Sequence, residues 1–172
     1  MAQTILARIG QLMRANINAM IDQAEDPEKM LDQLLRDFAS NIAEAEEAVA
    51  QTIGSLRMTE DDLREATAAA GEWGSKAAAA ARKTDELRAA GGSDADKFEE
   101  LAKVALRRQI SFEEQGKTLQ GQVTQQQELT DKLKDGLNKL RLRYEELQGK
   151  RDELVSRAKM ADAQVRVQRA VR

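Results

Sequence analysis

The chain has 172 residues, of which 33% are charged and 3% aromatic, with one proline and a net charge of −3 at pH 7. So few bulky groups argue against an ordinary globular core, and the abundance of Ala, Glu, Lys, Leu, Arg and Gln favours long helices or coiled coils. The absence of cysteine excludes a disulfide framework. The acidic balance excludes simple polyanion binding by the whole molecule, so an anionic partner must meet a local basic patch.

The first 22 residues have the pattern of a basic amphipathic helix. Seven apolar side chains fall on one side of a helical projection, with Arg8, Gln11 and Arg14 on the other. No acidic residue precedes Asp22. This pattern is typical of a helix that lies in a membrane interface with its apolar face in the lipid. The residues predicted to bind the membrane are Ile5, Leu6, Arg8, Ile9, Leu12, Met13, Arg14, Ile17 and Met20.

Two other interpretations of this segment stay open. The apolar face can instead pack on the rest of the protein, as most amphipathic helices do, and Asn16 within that face and Gly10 within the helix both count against the membrane interpretation. A cleavable mitochondrial-type leader is disfavoured because the segment has no serine and runs directly into patterned helix. No apolar run approaches the roughly 20 residues that span a bilayer, so a soluble or peripheral protein is expected.

Residues 23–26 are predicted to form a hinge before the next helix. Asp26 is a favourable N-cap, Pro27 suits the first helical position, and Glu28 complements the positive end of the helix dipole. We expect this break to free the first helix to point away from the rest of the protein.

Two long helices with heptad patterns are predicted after the hinge, at 27–90 and 93–172, separated by a turn at Gly91 and Gly92. Apolar residues in each recur at alternating spacings of three and four, which is the pattern of a coiled-coil seam. A tight turn between two such helices indicates an all-α fold built on a long antiparallel coiled-coil hairpin. Small seam residues dominate toward the end of the first helix, where we expect its partner to approach more closely.

The outer surface of this hairpin predicts self-assembly. Several large apolar residues lie off the seam, and their exposure to water in a monomer would be unfavourable by roughly 1 kcal/mol or more each, so a partner is expected to cover them. Alternatively, the second helix could bend back and cover some of them within one chain. From about residue 157 the second helix is expected to overhang the first. The overhang has five basic residues and one acidic residue, whereas residues 27–90 have 8 basic and 13 acidic. One protomer's basic end is therefore expected to meet another's acidic helix. The off-seam residues are Leu34, Met58, Leu106, Ile110, Leu129, Leu142, Val155, Met160 and Val167.

Eight glycines interrupt otherwise helical pattern, and each weakens a helix by about 1 kcal/mol relative to alanine. They indicate either bendable helices or close approach between protomers, unless long helices merely tolerate them. These positions are Gly10, Gly54, Gly71, Gly74, Gly116, Gly121, Gly136 and Gly149.

The residue types argue against an enzyme. The chain has no histidine and no cysteine, which removes thiol catalysis, imidazole acid–base chemistry and zinc sites of the usual kinds. Its carboxylates are spaced as solvated helix-face pairs with Lys and Arg, and no P-loop motif is present. Nucleic-acid binding is disfavoured because no sustained basic face with interleaved aromatic residues occurs. We predict no catalytic residue, no cofactor and no metal site.

Three features together resemble the phage-shock protein A family, which includes the vesicle-inducing protein in plastids. The run R-A-N-I-N-A-M-I-D-Q-A-E-D-P-E-K-M-L, from Arg14 to Leu31, is similar to the family's N-terminal signature. Glu72-Trp73 followed by Lys76-Ala77 is similar to its E-W-x-x-K-A element. The predicted hairpin resembles its architecture, which is similar to that of eukaryotic ESCRT-III proteins.

The resemblance implies a cytoplasmic, peripheral protein on the inner face of the plasma membrane. The resemblance also implies polymerisation into rods, rings or filaments that maintain or remodel stressed membranes, with an anionic lipid membrane as partner. Some members bind and inhibit an AAA+ transcription activator, which would involve Trp73 as a partner-binding residue, although its heptad position also suits a seam residue. A soluble regulator of such an activator and a passive coiled-coil spacer are the alternatives.

Overall fold

The computed structural model describes residues 2–172 of the chain. Those residues form four helices and no strand: α1 (Ala2–Arg14), α2 (Ile17–Gln23), α3 (Pro27–Ala89) and α4 (Ala95–Val171). The long helices α3 and α4 pack together, so the predicted all-α helical hairpin is confirmed. The chain divides into two compact units, the first comprising residues up to Thr52 with Leu129–Arg172, and the second Ile53–Glu128.

The N-terminal segment is broken at Ala15 and Asn16, so it has two helices where the apolar pattern predicts one. Asn16 has extended backbone angles (φ −86°, ψ 92°), and its side-chain oxygen accepts a hydrogen bond from the backbone N–H of Ala19 at 3.1 Å. An asparagine caps a helix start better than it fills a helix interior, because its short polar side chain competes for nearby backbone groups. Asn16 is therefore the N-cap of α2.

The start of α3 has the predicted capping arrangement. The Asp26 carboxylate accepts a hydrogen bond from the backbone N–H of Lys29 at 3.2 Å, Pro27 is the first helical residue, and Glu28 lies in the first turn. Ala24, after the end of α2, has an extended backbone (φ −77°, ψ 136°). The connection between α2 and α3 is thus a short link, extended at Ala24, that leads into a well-capped helix.

In the second unit, α3 ends in a Schellman turn. The backbone N–H of Gly92 donates to the carbonyl of Leu87 at 2.8 Å, and that of Gly91 donates to the carbonyl of Arg88 at 3.2 Å. Gly91 has φ +73°, a left-handed conformation that a side chain disfavours. Arg88 also pairs with Glu99 of α4 at 2.5 Å, which holds the two helices together beside the turn.

Substitution of Gly91 by alanine is expected to lower the free energy of unfolding by about 1–2 kcal/mol, since an L-residue is strained at this φ. The control is Gly54→Ala in the same unit. Position 54 is helical with open space around it, so alanine there should stabilise the protein by about 0.5–1 kcal/mol. Urea unfolding followed by circular dichroism measures both changes, and equal effects at the two positions would contradict the turn geometry.

The buried residues of α3 and α4 follow the predicted heptad seam. In the first unit they are mostly large, and Leu31, Phe38 and Leu140 have no exposed surface. In the second unit they are mostly alanine and threonine, as the small seam residues predict. The buried seam residues are Leu31, Phe38, Ala45, Leu56, Thr59, Ala66, Ala70, Ala77, Ala102, Ala105, Leu133, Leu137, Leu140 and Leu147.

Candidate membrane-binding surface

The apolar face of α1 and α2 lies against α3 and α4 within the first unit. Ile9 is 5% exposed and Ile17 is 3% exposed. Both belong to one core cluster with large seam residues of the long helices, and other apolar residues of α1 and α2 are partly buried against that cluster. Its long-helix members are Leu31, Phe38, Ala45, Leu137, Leu140 and Leu147, and its partly buried neighbours from the N-terminal segment are Ile5, Leu12, Met13, Ala15 and Ile21.

α1 approaches α4 closely at Gly136. A Cβ atom on this glycine would lie 3.1 Å from Cδ1 and 3.4 Å from Cγ2 of Ile9, and 4.0 Å from Cδ2 of Leu6. Contacts of 3.1 Å are shorter than ordinary carbon–carbon packing distances. Gly136 therefore leaves the space that Ile9 fills, and a larger residue at this position would require Ile9 to shift. Gly136 thus has the predicted role of close approach, although the approaching helix belongs to the same chain.

Three polar contacts also hold the N-terminal segment to the long helices. Arg8 pairs with Glu44 of α3 at 2.5 Å, and both side chains are about half exposed. Lys150 Nζ donates to the side-chain oxygen of Asn18 at 2.5 Å. Arg143 Nη2 donates to the carbonyl oxygen of Ala15 at 3.0 Å, satisfying a backbone acceptor at the break between α1 and α2.

α1 and α2 thus lie in a groove between α3 and α4, lined by the long-helix members of this cluster. Ion pairs between α3 and α4 join the two walls of the groove. Arg151 contacts Asp32 at 2.5 Å, and Arg141 contacts Glu46 at 2.7 Å. The hydrogen bond from Arg151 to Asp32, and then the negative charge of Asp32, raise the pKa of Arg151 above the usual arginine value. An arginine is protonated across the whole physiological range, so Arg151 keeps its positive charge there.

The expectation that α1 points away from the hairpin is therefore not met. Burial of a side chain such as Ile9 or Ile17 is favourable by about 1.5–3 kcal/mol relative to exposure in water. The groove between α3 and α4 supplies that burial within the molecule. Of the predicted membrane-binding residues, Arg8, Arg14 and Met20 are exposed, while Ile5, Leu6, Leu12 and Met13 are partly buried.

Several residues of this contact could not be assigned to α1 and α2 from the sequence. Gly136, Glu44, Arg143 and Lys150 are separated from α1 and α2 by tens of residues or more, and each has an ordinary alternative role on a helix surface. Only Gly136 gave a signal, because a glycine weakens the interior of a long helix and so requires a packing reason. Ile21 continues the apolar face into α2 and packs against the same cluster.

Trp73 lies in the second unit, away from the N-terminal segment in sequence. Its ring is half-buried and has two cations over it, with Lys76 Nζ 4.4 Å and Arg108 Cζ 5.6 Å from the ring centroid. A groove of about 340 Å³ beside it is lined by Phe98, Leu101 and Ala105 among others. Trp73 is thus only partly a seam residue, and its role in binding a partner stays a prediction.

Residues 2–172 contain no helix that is both long enough and apolar enough to cross a bilayer. Within that range there is also no group of three or more acidic side chains placed to hold a metal ion.

Comparison with known proteins places the chain among membrane-associated relatives. It is 31% identical over 164 residues to the membrane-associated protein Vipp1 of Synechocystis, covering 95% of this chain and 57% of the relative. It is 36% identical over 160 residues to a phage shock protein A homolog of Deinococcus radiodurans, covering 93% of this chain and 66% of the relative. A chloroplastic membrane-associated protein VIPP1 of Arabidopsis thaliana is 28% identical over 167 residues, 97% of this chain and 47% of the relative.

The chain spans about half to two thirds of the length of these relatives. The model of the PspA/IM30 family matches residues 4–172, which is nearly every residue of the sequence. That match agrees with the helical hairpin, the N-terminal signature and the E-W-x-x-K-A element. The chain therefore belongs to the PspA/IM30 family.

Proposed function

We propose that this protein is a self-assembling peripheral membrane protein that binds anionic membranes through α1 and α2 and maintains or remodels them under stress. The observation that carries this proposal is the N-terminal segment itself, whose apolar face is flanked by Arg8 and Arg14 with no acidic residue before Asp22. Relatives that cover nearly the whole chain are named as membrane-associated proteins, which supports the same function.

In the proposed complex, the apolar side chains of α1 and α2 enter the acyl region of one leaflet while the polar face stays among the headgroups. Arg8 and Arg14 attract anionic headgroups, each contributing about 1 kcal/mol near the surface. Helices inserted into one leaflet expand it relative to the other, which favours curvature or fills packing defects.

Assembly would convert this weak contact into a strong one. A polymer presents many N-terminal segments on one surface, and binding of the first raises the effective concentration of the rest. Exposed apolar residues on both units, such as Met58, Ile110 and Leu142, offer surfaces that a second copy would cover. Residues 156–172 are all exposed, and their basic side chains suit the acidic helix α3 of another copy.

The second candidate is a soluble coiled-coil regulator that binds and inhibits an AAA+ transcription activator. It is favoured by the half-exposed Trp73 ring and the adjacent groove. Aromatic side chains of this kind are frequent anchors in protein interfaces. This function needs no contact between lipid and the N-terminal segment, so lipid binding distinguishes the two candidates.

Co-sedimentation with vesicles tests the proposed function. The protein is expected to pellet with vesicles of mixed phosphatidylglycerol and phosphatidylcholine, and much less with phosphatidylcholine alone. Binding to the anionic vesicles should weaken as salt screens the arginines but should not vanish, because apolar insertion is not screened. Failure to pellet with anionic vesicles at low salt would overturn the proposal. Electron microscopy of the same samples would show whether polymers cover the vesicles.

A further inference from the structure

The side chains proposed to enter lipid are the same side chains that the groove already buries. Ile9 and Ile17 are almost completely buried against α3 and α4, and Ile5, Leu12 and Met13 are partly buried in the same cluster. A side chain cannot contact the seam residues of the long helices and an acyl chain at once. Docking in the groove and insertion into a membrane are therefore mutually exclusive states of α1 and α2.

The groove is not only apolar but also has a shape that fits α1. Gly136 interrupts the interior of α4, where alanine would favour the helix. The missing Cβ leaves the space that Ile9 occupies, at 3.1 Å from Cδ1. Gly149, in the same helix and unit, has nothing within 4 Å of its Cβ position. Gly136 thus acts as a positioning residue for α1.

The polar contacts of the docked state are ones that a lipid surface can replace. Arg8 pairs with Glu44 at 2.5 Å, but both side chains are about half exposed, and exposed ion pairs are weak. A phosphate headgroup presents the same kind of negatively charged oxygen to Arg8. The extended link at Ala24 provides a joint between the N-terminal segment and the capped start of α3.

We propose that the groove between α3 and α4, built around Gly136, competes with anionic lipid for the apolar face of α1 and α2, so that membrane binding requires their release. This inference rests on the proposed function and adds its regulation. A protein whose binding-competent state is only partly populated binds with an affinity reduced by that fraction. Weakening the groove should therefore tighten membrane binding without any change in α1.

The first experiment compares Gly136→Leu with Gly149→Leu. Both replace a glycine of α4 by the same strong helix former, but only the side chain at 136 meets Ile9. In titrations with phosphatidylglycerol-containing vesicles, the Gly136→Leu variant is expected to bind about tenfold more tightly than the natural protein. The Gly149→Leu variant is expected to bind with the affinity of the natural protein. Circular dichroism establishes that both variants are folded. Equal affinities of the two variants would overturn the inference.

A disulfide provides a second and reversible test. The chain has no cysteine, and Cγ2 of Ile9, one bond from its Cβ, is 3.4 Å from the Cβ position of residue 136. The double variant Ile9→Cys with Gly136→Cys therefore places two sulfurs within bonding range. Once oxidised, this variant is expected to lose vesicle binding, and a reductant should restore it. The single variant Ile9→Cys under the same treatment should show no such change.

The natural protein separates failure of this inference from failure of the proposed function. If it pellets with anionic vesicles but the oxidised double variant pellets equally well, the groove does not compete with lipid and only the inference is wrong. If the natural protein does not pellet with anionic vesicles at low salt, the proposed function itself is wrong.

Discussion

Replacing Ile9 and Leu12 together with glutamate is expected to abolish binding to anionic vesicles. A charged side chain is costly in the acyl region, so two glutamates on the face that must enter the lipid weaken binding by on the order of a hundredfold or more. The new carboxylates are also repelled by anionic headgroups. Ile9 lies in the groove, so the double variant also releases α1, but release cannot compensate because the face that must enter the lipid is then charged.

The matched control is Gln3→Glu with Gln11→Glu. This pair adds the same two negative charges to the same helix, but at exposed positions. If charge alone governs binding, both double variants will lose it to the same degree. If the apolar face governs binding, the control should retain most of its affinity at moderate salt, where surface charges are screened. Unchanged pelleting of the Ile9 and Leu12 variant would show that this helix is not the membrane contact.

Leu140→Ala is expected to lower the free energy of unfolding by about 2–5 kcal/mol, because it leaves a cavity in the core of the first unit. Leu140 has no exposed surface and belongs to the cluster that contains Phe38 and Ile9. Leu142→Ala, two residues along the same helix, removes the same atoms from a side chain that is 61% exposed. At a protein concentration too low for assembly, its effect should stay within about 0.5 kcal/mol.

Urea unfolding monitored by far-UV circular dichroism measures this difference. The comparison is free of helix propensity, since both variants exchange leucine for alanine within α4. Similar destabilisation at both positions would mean that Leu142 is covered in solution, which an assembled protein would produce. Repeating the measurement at low protein concentration distinguishes that case, because stability gained from assembly falls on dilution.

The hairpin could be predicted because its determinants are local and repeated. Leu31, Phe38 and Ala45 recur every seven residues along α3, and Leu133, Leu140 and Leu147 do so along α4, so each helix shows its buried face in its own sequence. Asp26 and Pro27 mark one helix start, and Gly91 marks an end, through backbone chemistry that involves only a few neighbouring residues. Agreement among these independent signals made the fold predictable.

The sequence by itself determined the local features of this protein: where the long helices begin and end, which face each one buries, and that the first 22 residues have an apolar side. Only the tertiary structure decided what that apolar side contacts. An amphipathic pattern records that a face avoids water, and lipid, a second copy and the protein's own groove all satisfy it equally. The choice of the groove depends on the space at Gly136 and on the apolar cluster around Phe38 and Leu140, which folding brings to α1 from distant parts of the chain.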